Sequence, residues 1–235
     1  MSVKRVVKLL LVVSILSLVA YFYYINFEPD RKLFPIRGID ISHHQGQINW
    51  DLVSKNDVQF VFIKASEGRD FKDTNFLTNW NNAKNAGILR GAYHFFSLCA
   101  SGREQAANFI AAVPVEVNTL PPVVDLEYGG NCANRPDKAE LTKQLRDYSE
   151  EIEKHYNRKP FFYVTRKFYK QYLLSNEFFD YSEYPLWVRG IITKPDDKMG
   201  WVIWQYHNRG HVDGIETPVD LNVWRAGDHL EQWLQ

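Results

Sequence analysis

Eight short segments of strand character recur between residues 35 and 224, and their spacing constrains the fold more tightly than any other feature. Period-two alternation and apolar runs pick out 35–42, 59–66, 88–96, 121–128, 160–165, 185–190, 201–206 and 219–224. Helical segments at 49–56, 74–87, 101–113 and 137–156 separate the first five, and another at 166–175 follows the fifth. Ser101 and Asp137 are favoured N-cap residues, and Gly87 suits the position just past a helix end. Strands alternating with helices imply parallel βαβ units. The last two connections, 190–200 and 207–218, carry proline and glycine and are too short to hold a crossover helix with its turns. The expected fold is α/β, a TIM-like parallel barrel of eight strands with about five helices. Its last quarter should lack helices. A chain of 235 residues accommodates such a barrel as one domain.

Ahead of the barrel, residues 9–27 form an uncharged, mostly apolar run preceded by Lys4, Arg5 and Lys8. That is close to the ~20 residues that cross a bilayer, and basic residues at its start keep that end in the cytoplasm. A cleaved signal would be shorter and would end in small residues, whereas this run ends in Tyr21, Phe22, Tyr23 and Tyr24. The length and flanks favour an uncleaved anchor over a cleaved signal. The expected organisation is a cytoplasmic N-terminus (1–8), an anchor or signal segment (9–27), a short charged linker (28–35) and an exported catalytic barrel (36–235). The barrel would then stand on the periplasmic or extracellular face, or be secreted if the segment is cut. Export permits a disulfide. Cys99 and Cys132 each lie a few residues past a strand, at the same end of a parallel barrel; a bridge and two free thiols both remain open.

The 28 basic residues balance the 28 acidic ones, and no basic block offers a surface for phosphates, so nucleic acid is not expected as a partner. Aromatic residues make up 15% of the chain, which suits sugar-stacking rings and an aromatic core equally.

The strand 121–128 places Asp125 and Glu127 in its most apolar stretch. Side chains alternate faces along a strand, so these two acids share one face with α-carbons ~6–7 Å apart. Val124, Leu126 and Tyr128 share the other and can pack on helices. The same phase recurs at Asp40 in the first strand and at Asp220 and Asn222 in the eighth. Three strands thus aim acids into the lumen near the rim where barrel enzymes keep catalytic side chains. Clustered carboxyls raise one another's pKa, which lets one hold a proton beside an ionised neighbour. Glycoside hydrolysis needs such a pair. A salt-bridged or metal-bound acid cluster is the competing explanation.

The motifs "GIDISHHQG", "VQFVFIKASEG", "GAYHFF", "VVDLEY", "WQY" and "VDLNVW" occur in this order between residues 38 and 224. Together they resemble glycoside hydrolase family 25, the muramidases of Chalaropsis type. The resemblance implies a barrel of five helices and eight strands that cleaves peptidoglycan between N-acetylmuramic acid and N-acetylglucosamine. It implies Glu127 as general acid and Asp125 as the anion that assists the 2-acetamido group. Asp40 and Asp220 would be further active-site aspartates. No cofactor is implied. Two residues depart from the family pattern. His207 follows "WQY" where a small or polar residue is usual, and Arg189 stands in "LWVRG" where a small one is expected.

Tyr93, Tyr163, Trp187, Trp204 and Tyr206 are candidate sugar-binding rings, with a core role equally open for Trp204. His207 and His211 have helical spacing for a metal, but Gly210 and the short connection argue against a helix there, and no metal is expected. His94 reads as a hydrogen-bonded core histidine, and Lys64 with Glu67 as an ion pair. The absence of G-x-S-x-G disfavours a serine esterase. The expected protein is a monomeric lysozyme acting on peptidoglycan strands. A glycan-binding scaffold without turnover and a chitin-directed hydrolase are the alternatives.

Overall fold

The computed structural model describes residues 2–225, 227 and 230–234; residues 1 and 235, the outer limits of the expected organisation, lie outside the described residues. An apolar helix, α1 (Val3–Ile25), precedes β1 (Arg37–Ile41), α2 (Trp50–Val53), β2 (Phe60–Glu67), β3 (Phe71–Lys72) and α3 (Phe76–Asn85). Then follow β4 (Leu89–Phe95), α4 (Gly102–Ile110), β5 (Val123–Leu126), α5 (Lys138–Tyr156), β6 (Phe161–Thr165) and α6 (Arg166–Phe168). The chain continues with β7 (Leu186–Arg189), β8 (Trp201–Gly210) and β9 (Val219–Trp224).

Eight strands close a barrel in the order β1-β9-β8-β7-β6-β5-β4-β2, sealed by pairing of β1 with β2, while β3 extends the end of β2 as a short hairpin. The pairings from β1 through β2 and β4 to β8 are parallel. β9 departs from the expected all-parallel barrel: it is antiparallel to both β8 and β1. This resolves the short 207–218 connection, because β8 runs on to Gly210 and the chain merely turns back along it. A return of this kind needs no crossover helix.

Local signals explain the helices. Ser101 and Glu104 form a reciprocal capping box at the start of α4. The Asp137 side chain accepts from the Glu140 amide at the start of α5, and Asn157 closes that helix at φ 55°. α2 is only one turn, shorter than expected, and α6 widens after three residues into a π-helical turn over Tyr169–Leu173.

The lumen floor is apolar, filled by Phe60, Phe62, Val123, Phe161 and Trp224. Gly38 and Gly91 make room there, since a Cβ would meet the Phe60 ring at 2.5 Å and the Phe62 ring at 2.3 Å respectively. Outside the strands, α3, α4 and α5 cover the parallel part of the barrel, burying Trp80, Phe109 and Tyr148. His94 lies in this outer layer, fully buried between Ser66 and Gln105, and burial pushes its pKa down to about 3.

No helix covers β8. Phe27, the last residue of the expected anchor segment, and residues 28–34 of the expected linker take that place. Phe27 packs on Trp204 and Tyr206, and Phe34 packs on Trp201 and Trp204. Arg37, with only 4% of its surface exposed, donates to the Pro29 carbonyl and pairs with Glu28 at 3.0 Å. Cys99 and Cys132 are joined in a disulfide that ties the loop after β4 to the loop after β5.

Candidate active site

A cavity of about 470 Å³ opens at the carboxyl end of the parallel strands. Asp40, Asp125, Glu127 and Asp220 all line it, so the four acids converge from β1, from β5 and its exit, and from β9. Because β9 is antiparallel, Asp220 sits near its start; that is the end of β9 lying at the rim, and Asp40 is its direct partner across the pair. Of the candidate rings, Tyr93, Tyr163 and Trp187 line the cavity. Trp204 and Tyr206 do not. They point outward into the layer beneath Phe27 and Phe34, where the Trp204 indole donates to the Gly190 carbonyl and the Arg37 guanidinium donates to the Tyr206 hydroxyl. Gln205, between them, takes the lumen position. A larger open groove of about 980 Å³ lies beside Asn49, Asp51 and Glu216, but it contains none of the carboxyls that burial raises.

A chain of hydrogen bonds fixes Asp40. Gln205 and Asn222 donate to its Oδ2 at 2.9 Å and 2.7 Å. Behind them, the Tyr163 hydroxyl donates to Gln205 at 2.9 Å and the Trp187 indole donates to Asn222 at 2.8 Å. Two of the expected sugar-binding rings therefore also hold the amides that hold the acid. Neither Gln205 nor Asn222 was among the candidate site residues, although each is a polar residue on the inner face of an apolar strand.

Burial raises all four carboxyls, and repulsion from neighbouring carboxylates adds to it at Asp125, Glu127 and Asp220. Asp125 is raised well above the usual carboxylate range, first by burial and then by the charges of Glu127 and Asp40. Glu127 is raised by burial too, with Arg189 pulling the other way. Burial and Asp40 push Asp220 up to about 8. Asp40 is raised by burial, offset by the Asn222 and Gln205 bonds. Two cations stand in the same cavity. The Arg189 guanidinium is 3.4 Å from Glu127 Oε2, and the Lys64 ammonium pairs with Glu67 at 2.7 Å. Asp125 Oδ1 is buried with no hydrogen-bond partner among the described residues. A buried acceptor left unpaired is costly.

His207 uses both ring nitrogens, accepting from the Arg209 amide at Nδ1 and donating to the Tyr24 carbonyl at Nε2. His43 lies 2.8 Å from Asp73, and no group of three metal-ligating side chains occurs among the described residues.

A closed barrel with convergent carboxyls at its carboxyl rim, one pair two residues apart at the end of β5 and its exit, has the arrangement that glycoside hydrolysis requires. The chain belongs to the glycosyl hydrolases family 25, whose family profile matches residues 39–215. The family 25 glycosyl hydrolase of Bacillus anthracis superposes with a TM-score of 0.78 at 38% identity, over 88% of this chain and 94% of that one. Lysozyme M1 of Streptomyces globisporus is 33% identical over 198 residues, 80% of this chain and 67% of that protein. Protein YegX of Escherichia coli K12 is 36% identical over 220 residues, 88% of this chain and 78% of that protein. The protein is accordingly an enzyme, a glycoside hydrolase of the lysozyme type that acts on peptidoglycan.

Proposed function

We propose that the protein cleaves the β-1,4 bond between N-acetylmuramic acid and N-acetylglucosamine, with Glu127 as general acid and Asp125 as its anionic partner. The observation that carries this reading is the unpaired, buried Asp125 Oδ1 beside a carboxyl at the rim. An oxygen short of one donor suits the N–H of a 2-acetamido group. Accepting that N–H turns the acetamido oxygen toward the anomeric carbon. Glu127 gives its proton to the glycosidic oxygen as the bond from C1 breaks and the acetamido oxygen closes on C1. Ionised Glu127 then takes a proton from water, whose oxygen adds to C1 and reopens the ring.

In the structure, burial raises Asp125 further than Glu127, the reverse of the ordering that catalysis requires. Positive charge developing on the sugar and its acetamido group restores that ordering, since it favours the anion nearest to it. Asp40 and Asp220 share the remaining proton and hold substrate. Tyr93, Tyr163 and Trp187 supply the walls of the sugar subsite. All four carboxyls come from one chain, so a monomer suffices.

α1 serves as the anchor. It is 23 residues long with mean hydropathy 2.3 over its most apolar window, and none of that window is buried against the barrel. At 1.5 Å per residue it spans ~34 Å, enough for a ~30 Å hydrocarbon core. The barrel then stands on the outer face of the membrane.

The test is muropeptide release from purified sacculi by the full chain in detergent micelles, compared with Glu127→Gln. Expected is a loss of at least ~100-fold, given that general acid catalysis contributes ~10²–10⁴. Equal release by both proteins refutes the assignment. Reducing ends mapped to N-acetylglucosamine rather than N-acetylmuramic acid refute the bond assigned.

A further inference from the structure

His207, one of the two departures from the family pattern, is where the apolar helix meets the barrel. The Tyr24 ring stacks on the His207 imidazole with centroids 5.1 Å apart, and the Tyr24 carbonyl accepts from His207 Nε2 at 2.8 Å. The Tyr24 hydroxyl donates to Asn208 Oδ1 at 2.7 Å. Asn208 in turn lines the catalytic cavity, together with Glu127, Arg189 and Asp220. Tyr24 is not a linker residue. It lies within the final turn of α1, which ends at Ile25, among the tyrosines that would sit at the membrane–water interface. From there the chain has no slack, because Phe27, Glu28, Pro29 and Phe34 are each fastened to the barrel. A cavity of about 470 Å³ is only ~8 Å across, a small site by the usual range. The reacting carboxyls therefore stand within a few side-chain lengths of the end of the apolar helix.

We propose that this docked anchor holds the cleft at the outer membrane surface. Its substrate is then the membrane-proximal glycan, the strands that lie against the bilayer. The proposal rests on the muramidase reading and on α1 as an uncleaved anchor. A free linker of nine or so residues would let the barrel range over ~15–18 Å from the bilayer. The packed segment removes that freedom and fixes which part of the wall the cleft can reach. The same contacts explain why a buried imidazole stands at position 207, since a small residue there would neither stack on Tyr24 nor donate to its carbonyl.

The test places the full chain in lipid vesicles that carry lipid-linked glycan polymerised on the same membrane. The comparison variant combines Tyr24→Ala with a Gly/Ser spacer of about 20 residues after Asn26, which adds ~25 Å of reach. Each protein is offered three substrates: vesicle-borne glycan, added sacculi, and short soluble glycan fragments. Both are expected to cleave soluble fragments at equal rates, because neither change touches the cavity's carboxyls. The native protein should cut vesicle-borne glycan at least ~10-fold faster than sacculi, and the spacer variant should lose that ratio. Equal ratios in the two proteins overturn the proposal while leaving the muramidase reading intact. Failure of both on soluble fragments overturns the muramidase reading and the proposal with it. N-terminal sequencing of the vesicle-bound protein should begin within the first two residues, and a start at or beyond Tyr21 overturns the fixed anchor.

Discussion

Replacing Arg189 with alanine removes the one cation that, among the described residues, pairs with the proposed proton donor. Its guanidinium lies 3.4 Å from Glu127 Oε2, with 34% of the Arg189 side chain and 18% of that of Glu127 exposed. A bare Coulomb estimate at an effective dielectric of 20 is ~5 kcal/mol. Ion pairs reached by water measure ~0.2–1 kcal/mol, and this contact is long and partly solvated, so about 1 kcal/mol is the working figure. At 1.36 kcal/mol per pH unit that is ~0.7 unit. The sign follows from which form the cation favours. Arg189 stabilises ionised Glu127, so removing it raises the Glu127 pKa, and the donor keeps its proton to higher pH. The basic limb of the kcat profile, which reports the substrate-bound enzyme, should move up by ~0.5–1 unit, and Arg189→Lys should move it back part of the way. The acid limb, set by Asp125, should follow by less, since Arg189 comes after burial, Glu127, Asp40 and Lys64 among the influences there. A basic limb that stays in place while the acid limb climbs would refute the reasoning. The group paired with Arg189 would then be the anion, and the roles of Asp125 and Glu127 would be exchanged.

Asp220 carries a folded-state pKa of about 8 against an ordinary value of 3.8, so the folded protein binds more protons than the unfolded chain across that window. Stability should therefore decline from about pH 4 to about pH 8, and Asp220→Asn should flatten the decline and raise Tm at pH 8. Each kcal/mol gained appears as ~2–4 °C in a chain of this size, and an unchanged or lower Tm contradicts the buried-charge account. The disulfide closes a loop with a sequence separation of 33 residues, and chain entropy assigns such a closure about 3.7 kcal/mol. The Cys99→Ser, Cys132→Ser double variant should melt ~7–15 °C lower by scanning calorimetry. Its activity should fall as well, because Asn131, next to Cys132, accepts from the Leu98 amide and donates to the carbonyl of Glu127.

Most of the barrel was legible because one face of each strand meets the lumen and the other meets helices, so alternation survives in the sequence. The acids were legible for the same reason: Asp40, Asp125 and Asp220 fall in phase with lumen positions. The direction of β9 was not, since alternation reads the same forwards and backwards. Trp204 and Tyr206 were misplaced because β8 buries large aromatic residues on its outer side, so hydrophobicity alone does not tell its two faces apart. The signal that would have corrected this is Gln205, a lone amide between two rings, whose polarity marks the cavity side. The Phe27–Phe34 covering escaped notice because its partners, Trp201, Trp204 and Tyr206, lie some 170 residues away in the chain, and charged residues dominate the segment itself.

The antiparallel last strand also dictates when this protein can fold. β9 slots between β1 and β8, the first strand of the barrel and one of the last, and it brings Asp220 with it. Until residues 219–224 emerge, β1 and β8 each show an unpaired edge, and the acid cluster lacks a member. A chain that folds as it is made thus has seven barrel strands in place with the seam still open. Closure waits for the last strand. Catalytic competence is therefore gated by the arrival of β9, and a chain without it presents a sticky, open barrel that lacks Asp220 rather than a premature hydrolase.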